Sequence, residues 1–307
     1  MEVNAVFEGG GIKGISLAGA VYAAERRGIV FRHLGGTSVG AVISALLAAG
    51  YGADDLRRII EATPFRSFLR RSPVFNVRVV GPAARLMWKK GLFSGEALEN
   101  WMRGLLANRG IRTFADLPKR KLRIVASDIT NGRLLVLPDD LVSYGVDERR
   151  FEVAKAVRMS ASIPYFFDPV LIRQRGGDIR SASFRDRFAY IVDGALLSNF
   201  PMWLFDREET SRGGSVPTLG FRMVGKNDNE PRIIRGPFTM FQAMFETMMQ
   251  AHDERYIEKQ ERDRTIKIPT LGVRSTQFDL SDELSRRLFD SGRDAAESFF
   301  QTFRRGQ

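Results

Sequence analysis

The sequence predicts an α/β fold from three observations. Two strand, glycine turn, helix units follow one another within the first 49 residues; the second turn carries a serine between glycines; and apolar strand-like runs go on alternating with helical ones.

Val3 to Glu8 reads as a buried first strand running into Gly9-Gly10-Gly11-Ile12-Lys13-Gly14. An Ala-rich helix follows from about Ile15 to Arg27, closed by Gly28. Backbone N–H groups and the positive end of the helix converge at such a loop, which makes it a cradle for negative charge. The loop also satisfies G-x-G-x-x-G, but a dinucleotide site needs an acidic residue at the end of the next strand, and none occurs between Ile29 and Gly36.

Ile29 to Leu34 has the β-branched and aromatic content of a second strand, and Ala41 to Ala49 is rich in Ala and Leu, as a helix is. Ser38 therefore falls at a strand-to-helix turn, Gly36-Thr37-Ser38-Val39-Gly40. Such an elbow strains the serine backbone, exposes its hydroxyl and aims the next helix at a developing oxyanion, while Gly36 and Gly40 allow close approach. A hydrogen-bonding serine in an ordinary tight turn is the plain structural alternative.

Helical pattern resumes at Asp54 to Ala62 and again, amphipathically, at Ser94 to Leu106. Leu122 to Ile129 is strand-like, and Thr130-Asn131-Gly132 turns it into Leu134 to Leu137 as a hairpin. Phe151 to Met159 reads as a short helix. Phe188 to Val192 is a strand ending at Asp193-Gly194, where a carboxylate at a sheet edge can face a site; an Asp-Gly turn is the alternative. Thr218 to Val224 and Ile266 to Val273 complete the strands. Phe238 to Ala251 reads as a helix packed in the core, with apolar residues at 238, 241, 245, 248 and 249 and a second row at 240 and 244. Asp279 or Ser281 caps a C-terminal helix. Without repeat or linker, the chain is expected to form one domain, with a cap insertion at about 63–92 and a C-terminal helical extension at about 237–307.

Composition narrows the chemistry. The 307 residues include no Cys, which excludes disulfides, thiolate metal sites and a cysteine nucleophile and fits a reducing cytosol. The N-terminus lacks a basic stretch followed by an apolar core, so a cytoplasmic location is expected. The net charge of +11 points to a polyanionic partner. Between Arg57 and Lys90 nine basic residues face one acidic residue, interleaved with large apolar side chains. Arg70, Arg71, Trp88, Lys89 and Lys90 are the candidate contacts with an anionic membrane surface; single-stranded nucleic acid or a solvated face over a packed cap are the other readings of the segment.

A serine nucleophile ordinarily needs a histidine base, and the chain has only His33 and His252, neither at an obvious strand-end loop. A carboxylate is the natural substitute, which pairs Ser38 with Asp193. In that order, Gly9-Gly10-Gly11-x-Lys13-Gly14, Gly36-x-Ser38-x-Gly40, Ser160-Ala161-Ser162-Ile163-Pro164 and Asp193-Gly194 resemble the patatin-like phospholipases over about residues 3 to 201. The resemblance implies a three-layer α/β/α sandwich around a mainly parallel sheet, hydrolysis of lipid acyl esters by a Ser-Asp dyad, and no metal or other cofactor. By position, Ser38 would be the nucleophile, Asp193 the base, and the Gly9 to Gly11 loop the oxyanion hole, with Gly10 and Gly11 as amide donors and Lys13 shaping it. Ala195 stands where the family often has a second glycine after the Asp-Gly pair. Transfer of the acyl group to an acceptor other than water would use the same residues, and a non-catalytic binding protein is the rival of another class.

Overall fold

The computed structural model describes residues 1–69, 90–174, 187–206, 216–225, 234–236, 239–241, 243–248, 263–275 and 277–303. Ten strands are described: β1 (Glu2–Phe7), β2 (Val30–Thr37), β3 (Gly91–Phe93), β4 (Leu122–Asp128), β5 (Arg133–Leu137), β6 (Tyr165–Phe167), β7 (Val170–Arg173), β8 (Phe188–Asp193), β9 (Thr218–Val224) and β10 (Thr265–Pro269). The main α-helices are α1 (Ile15–Arg26), α2 (Val39–Ala48), α3 (Ala53–Ala62), α4 (Glu96–Ala107), α5 (Val153–Ser160) and α6 (Asp282–Thr302).

Eight of the strands form one sheet in the order β10-β9-β1-β2-β4-β8-β7, with β5 on β4. The pairs from β10 through β9, β1 and β2 to β4 are parallel, as strands joined by helical crossovers are. β5, β8 and β7 turn antiparallel.

Side chains alternate between the two faces of a strand, and the core follows that period. Val3, Ala5 and Phe7 of β1 join the large core that includes α1, α2 and α6, whereas Val6 packs with Val125, Met202, Leu204 and Phe205 in a second cluster. α1 is Ala-rich because α6 lies directly on it: a Cβ on Gly19 would overlap the Phe289 carbonyl, and one on Gly292 the Ser16 carbonyl. Ser281, not Asp279, caps α6, its hydroxyl accepting from the Leu284 N–H at 3.2 Å.

Two registers bring the turns of interest together. Phe7 of β1 pairs with Gly36 of β2, so the glycine loop and the serine elbow leave the sheet side by side. β5 occupies one edge of β4 from Ile124 to Asp128, pairing Val125 with Val136 and Ala126 with Leu135. The other edge is shared: Val125 pairs with Thr37 of β2 and the next residue, Ala126, with Asp193 of β8. Because β8 runs against β2, the two strands meet C-terminus to C-terminus beside β4. Ser38 and Asp193 are therefore neighbours although they are 155 positions apart in the chain.

Some expectations are corrected. β3, β6 and β7 carry only three or four residues each, too few to show a period, and no strand was expected there. The last strand stops at Pro269 rather than Val273, because the chain turns there: Leu271 and Gly272 take φ 53° and 76°, and the Val273 N–H donates back to the Thr270 carbonyl at 3.0 Å. It is an edge strand of the central sheet, so the C-terminal part is not helical throughout. Residues 239–241 and 243–248 are helical with Phe245 buried, but Met240 and Met244 are 52% and 60% exposed, so the second apolar row does not face the core.

Candidate active site

Ser38 sits where β2 gives way to α2, with φ 55° and ψ −121°. A side-chain-bearing residue adopts positive φ only when its surroundings hold it there. Three contacts do so. The Ser38 N–H donates to the Ser160 hydroxyl at 2.8 Å, that hydroxyl donates to the Val125 carbonyl at 2.6 Å, and the Ser38 carbonyl accepts from Ala41 N–H at 3.0 Å. The glycines give the elbow room: a Cβ on Gly36 would lie 2.5 Å from the Gly40 carbonyl carbon, and one on Gly40 would overlap the Phe7 carbonyl.

The Ser38 hydroxyl donates to Asp193 Oδ2 at 2.7 Å. Asp193 Oδ1 accepts from the Ala195 N–H at 2.9 Å, and the Asp193 N–H donates to the Ser162 carbonyl at 2.9 Å. Ser38 is 4% exposed and Asp193 1%. Burial disfavours the charged carboxylate and pushes Asp193 from its ordinary 3.8 up to about 7, against the opposing pull of the Ala195 N–H and the Ser38 hydroxyl. A serine hydroxyl bonded to a carboxylate of that basicity can lose its proton to it near neutral pH.

The end of α5 grips both residues, Ser160 through its side chain and Ser162 through its backbone. The sequence alone assigns Ser160 and Ser162 no role, because a serine at a helix end has many ordinary uses.

The glycine loop lies against the elbow. A Cβ on Gly9 would come within 3.2 Å of Ser38 Cβ, and one on Gly14 would overlap Val39. Gly11 has φ +58° and abuts the Ser275 carbonyl, which also accepts from the Ile12 N–H at 3.0 Å. Gly9 contributes space, its N–H donating to the Asn199 carbonyl at 3.1 Å. Among the described residues the N–H groups of Gly10 and Gly11 meet no protein acceptor. The stem of Lys13 crosses Gly10, with Cε 3.2 Å from where a Cβ would stand, and Met223 covers the same glycine. Just upstream, buried Glu8 accepts from the Met223 N–H and from Asn199 Nδ2, tying β1, β9 and the segment after β8 beneath the loop.

A cavity of about 90 Å³ opens at Ser38. Val39, Val42, Ile43 and Leu46 give it one face of α2, Leu56, Ile59 and Ile60 come from α3, and Leu98 and Trp101 from α4. Among the described residues that line it, Ser38 carries the one hydroxyl, and the rest are apolar side chains and glycine.

His33 takes no part here. His33 Nδ1 lies 2.9 Å from the Arg120 carbonyl and its ring stacks on Phe205, while His252 lies outside the described residues. Of the membrane-surface candidates, Arg70, Arg71, Trp88 and Lys89 also lie outside them; Lys90 is exposed, its ammonium 4.9 Å from the centre of the Tyr190 ring.

Comparison with known proteins agrees with the fold. The patatin-like phospholipase family profile matches residues 5–206, and the chain belongs to that family. It is 39% identical over 302 residues to the uncharacterised protein YqhO of Bacillus subtilis, spanning 98% of this chain and 99% of that one. An uncharacterised NTE family protein of Mycobacterium tuberculosis, MT2641, is 26% identical over 82% of this chain and 38% of its own length. Among solved structures, VipD from Legionella pneumophila superposes with a TM-score of 0.55 at 18% identity over 98% of this chain and 67% of VipD. The type III effector ExoU superposes with a TM-score of 0.51 at 16% identity over 98% of this chain and 53% of ExoU. These two show the shared fold. Family membership supports a lipid hydrolase activity.

Proposed function

We propose that the protein is a serine esterase of the phospholipase A or lysophospholipase type, working through a Ser38–Asp193 dyad. The observation that carries this reading is the Ser38 hydroxyl, bonded to a buried carboxylate at 2.7 Å, at the mouth of an apolar cavity. Ser38 Oγ attacks the ester carbonyl carbon as its proton passes to Asp193 Oδ2. The oxyanion is received by the N–H groups of Gly10 and Gly11 and by the positive end of the following helix. Collapse breaks the bond to the alcohol, which leaves with the proton from Asp193, and the acyl group stays on Ser38. Water then attacks the acyl-enzyme, again giving its proton to Asp193, and the acid is released as Ser38 takes the proton back. The net charge of +11 suits lipid presented on an anionic surface, with the enzyme as a peripheral visitor from the cytoplasm. No described helix is long and apolar enough to cross a membrane.

The test is product analysis on vesicles. Wild-type protein is expected to release free fatty acid and lysophospholipid, faster from phosphatidylglycerol than from phosphatidylcholine vesicles, with the difference shrinking in about 0.5 M salt as charges are screened. Acyl transfer to an added alcohol with no free acid would make it a transacylase, and folded protein that turns over no ester at all would sink the enzyme reading.

The α5 grip gives a second test. Ser160→Ala leaves the buried Ser38 N–H without its acceptor, at a cost of about 1–3 kcal/mol. If that strain is felt as Ser38 attacks, kcat on a soluble ester should fall roughly tenfold to a hundredfold with KM little changed. A change in KM alone would separate Ser160 from the nucleophile.

A further inference from the structure

We infer that the cavity is a slot for one acyl chain of medium length, closed at its inner end by Leu46 and Leu56, so that the enzyme selects esters of acids of about eight carbons, the length set by the helix rise along α2. The inference rests on the ester-hydrolase reading and adds the identity of the acyl group.

The slot has a direction. α2 starts at Ser38 and runs away from it, so Val39, Val42, Ile43 and Leu46 line the wall in order of increasing depth. Four contacts gather the far ends of the surrounding elements. The Tyr51 hydroxyl, after α2, donates to the Leu105 carbonyl near the end of α4 at 2.6 Å. The Ala53 N–H, at the start of α3, donates to Glu25 near the end of α1 at 2.8 Å. Arg109, beyond α4, pairs with Asp55 at 2.7 Å and lies over the Tyr51 ring at 4.4 Å. α3 therefore begins at the far end and returns towards the mouth, which places Leu56 in its first turn opposite Leu46 in the last turn of α2. Both are buried, at 1% and 2% exposure, and the base around them is fastened by the polar contacts just named.

The helix rise gives the depth. The seven steps from Val39 to Leu46, at about 1.5 Å of rise each, give roughly 10 Å. An extended hydrocarbon advances about 1.3 Å per carbon, the C–C bond projected on the chain axis, so that depth takes about eight carbons. A longer chain would have to displace Leu46 or Leu56, or leave its tail outside.

The experiment is a series of 4-nitrophenyl esters from C2 to C16, read as kcat/KM for wild type, Leu56→Ala and Val42→Phe, with thermal melting of each protein. For the wild type, a maximum near C8 with at least about a tenfold fall by C16 is expected, since a chain too long for the slot must push Leu46 or Leu56 aside or stay out of it and leave its methylenes in water. Leu56→Ala deepens the slot and should raise the C12 to C8 ratio about fivefold or more. Val42→Phe fills its middle and should move the maximum to C4 or below; it adds volume to an open cavity, so it remains a test where Leu56→Ala does not fold. A wild-type maximum at C14 to C16, or a profile that neither folded variant moves, overturns the slot while leaving the esterase intact. If no ester is cleaved and Ser38 takes up no fluorophosphonate, the hydrolase reading itself falls, and the slot with it.

Discussion

Ser38→Ala is expected to abolish both ester hydrolysis and fluorophosphonate labelling, with the rate falling by at least about a thousandfold, while the protein stays folded. The size of the effect follows from Ser38 being, among the described residues, the only hydroxyl on the cavity wall. The stability effect is small for a reason that lies in the backbone. Alanine and serine bear the same Cβ and share the strain of φ 55°, so the substitution adds no new backbone cost. It removes the hydrogen bond to Asp193, which is left with the Ala195 N–H on its other oxygen. Wild type and variant labelled in parallel and followed by melting decide the matter. A folded variant that still takes up the probe would place the reactive hydroxyl elsewhere, and the proposed dyad would be wrong.

The parts of this site that were legible in the sequence are those written in a few consecutive residues. A strand of apolar residues, three glycines and an Ala-rich helix specify the first unit locally, and Gly36-Thr37-Ser38-Val39-Gly40 between a strand and a helix specifies the second. The approach of Asp193 to Ser38 is of another kind. It depends on β2 and β8 sharing one edge of β4, a register that no local pattern encodes, and it was reached only through the lack of a suitable histidine and the order of the motifs. Ser160, Asn199, Met223 and Ser275 shape the elbow and the glycine loop, yet each lies far from them in sequence and reads locally as an ordinary helix-end, loop or strand residue. The cavity escaped for the complementary reason. Val42, Leu46, Leu56 and Leu98 have the helical spacing of core residues, and sequence periodicity cannot tell a face packed against protein from one lining a void.

Asp193→Asn is expected to remove activity and to raise stability, and the opposite signs distinguish a catalytic carboxylate from a structural one. An amide cannot take the Ser38 proton, and it can rotate so that its oxygen accepts from Ala195 while its NH2 donates to Ser38 Oγ, which then no longer has a base. The stability term comes from burial. With its pKa raised from 3.8 to about 7, Asp193 is neutral and costs the fold nothing below 3.8; the cost of charging it in place grows as pH rises through that window and is complete above about 7. The full window amounts to at most about 4 kcal/mol, so the variant should melt higher than wild type at pH 8, and the gap should close towards pH 4. Wild-type kcat/KM should rise with pH to a plateau with its midpoint near 7, because only the carboxylate form can act as base. A variant less stable than wild type at pH 8 would mean that hydrogen bonds to the carboxylate outweigh its desolvation. A pH profile flat from 5 to 9, well either side of the expected midpoint, would mean that the group taking the serine proton is not Asp193.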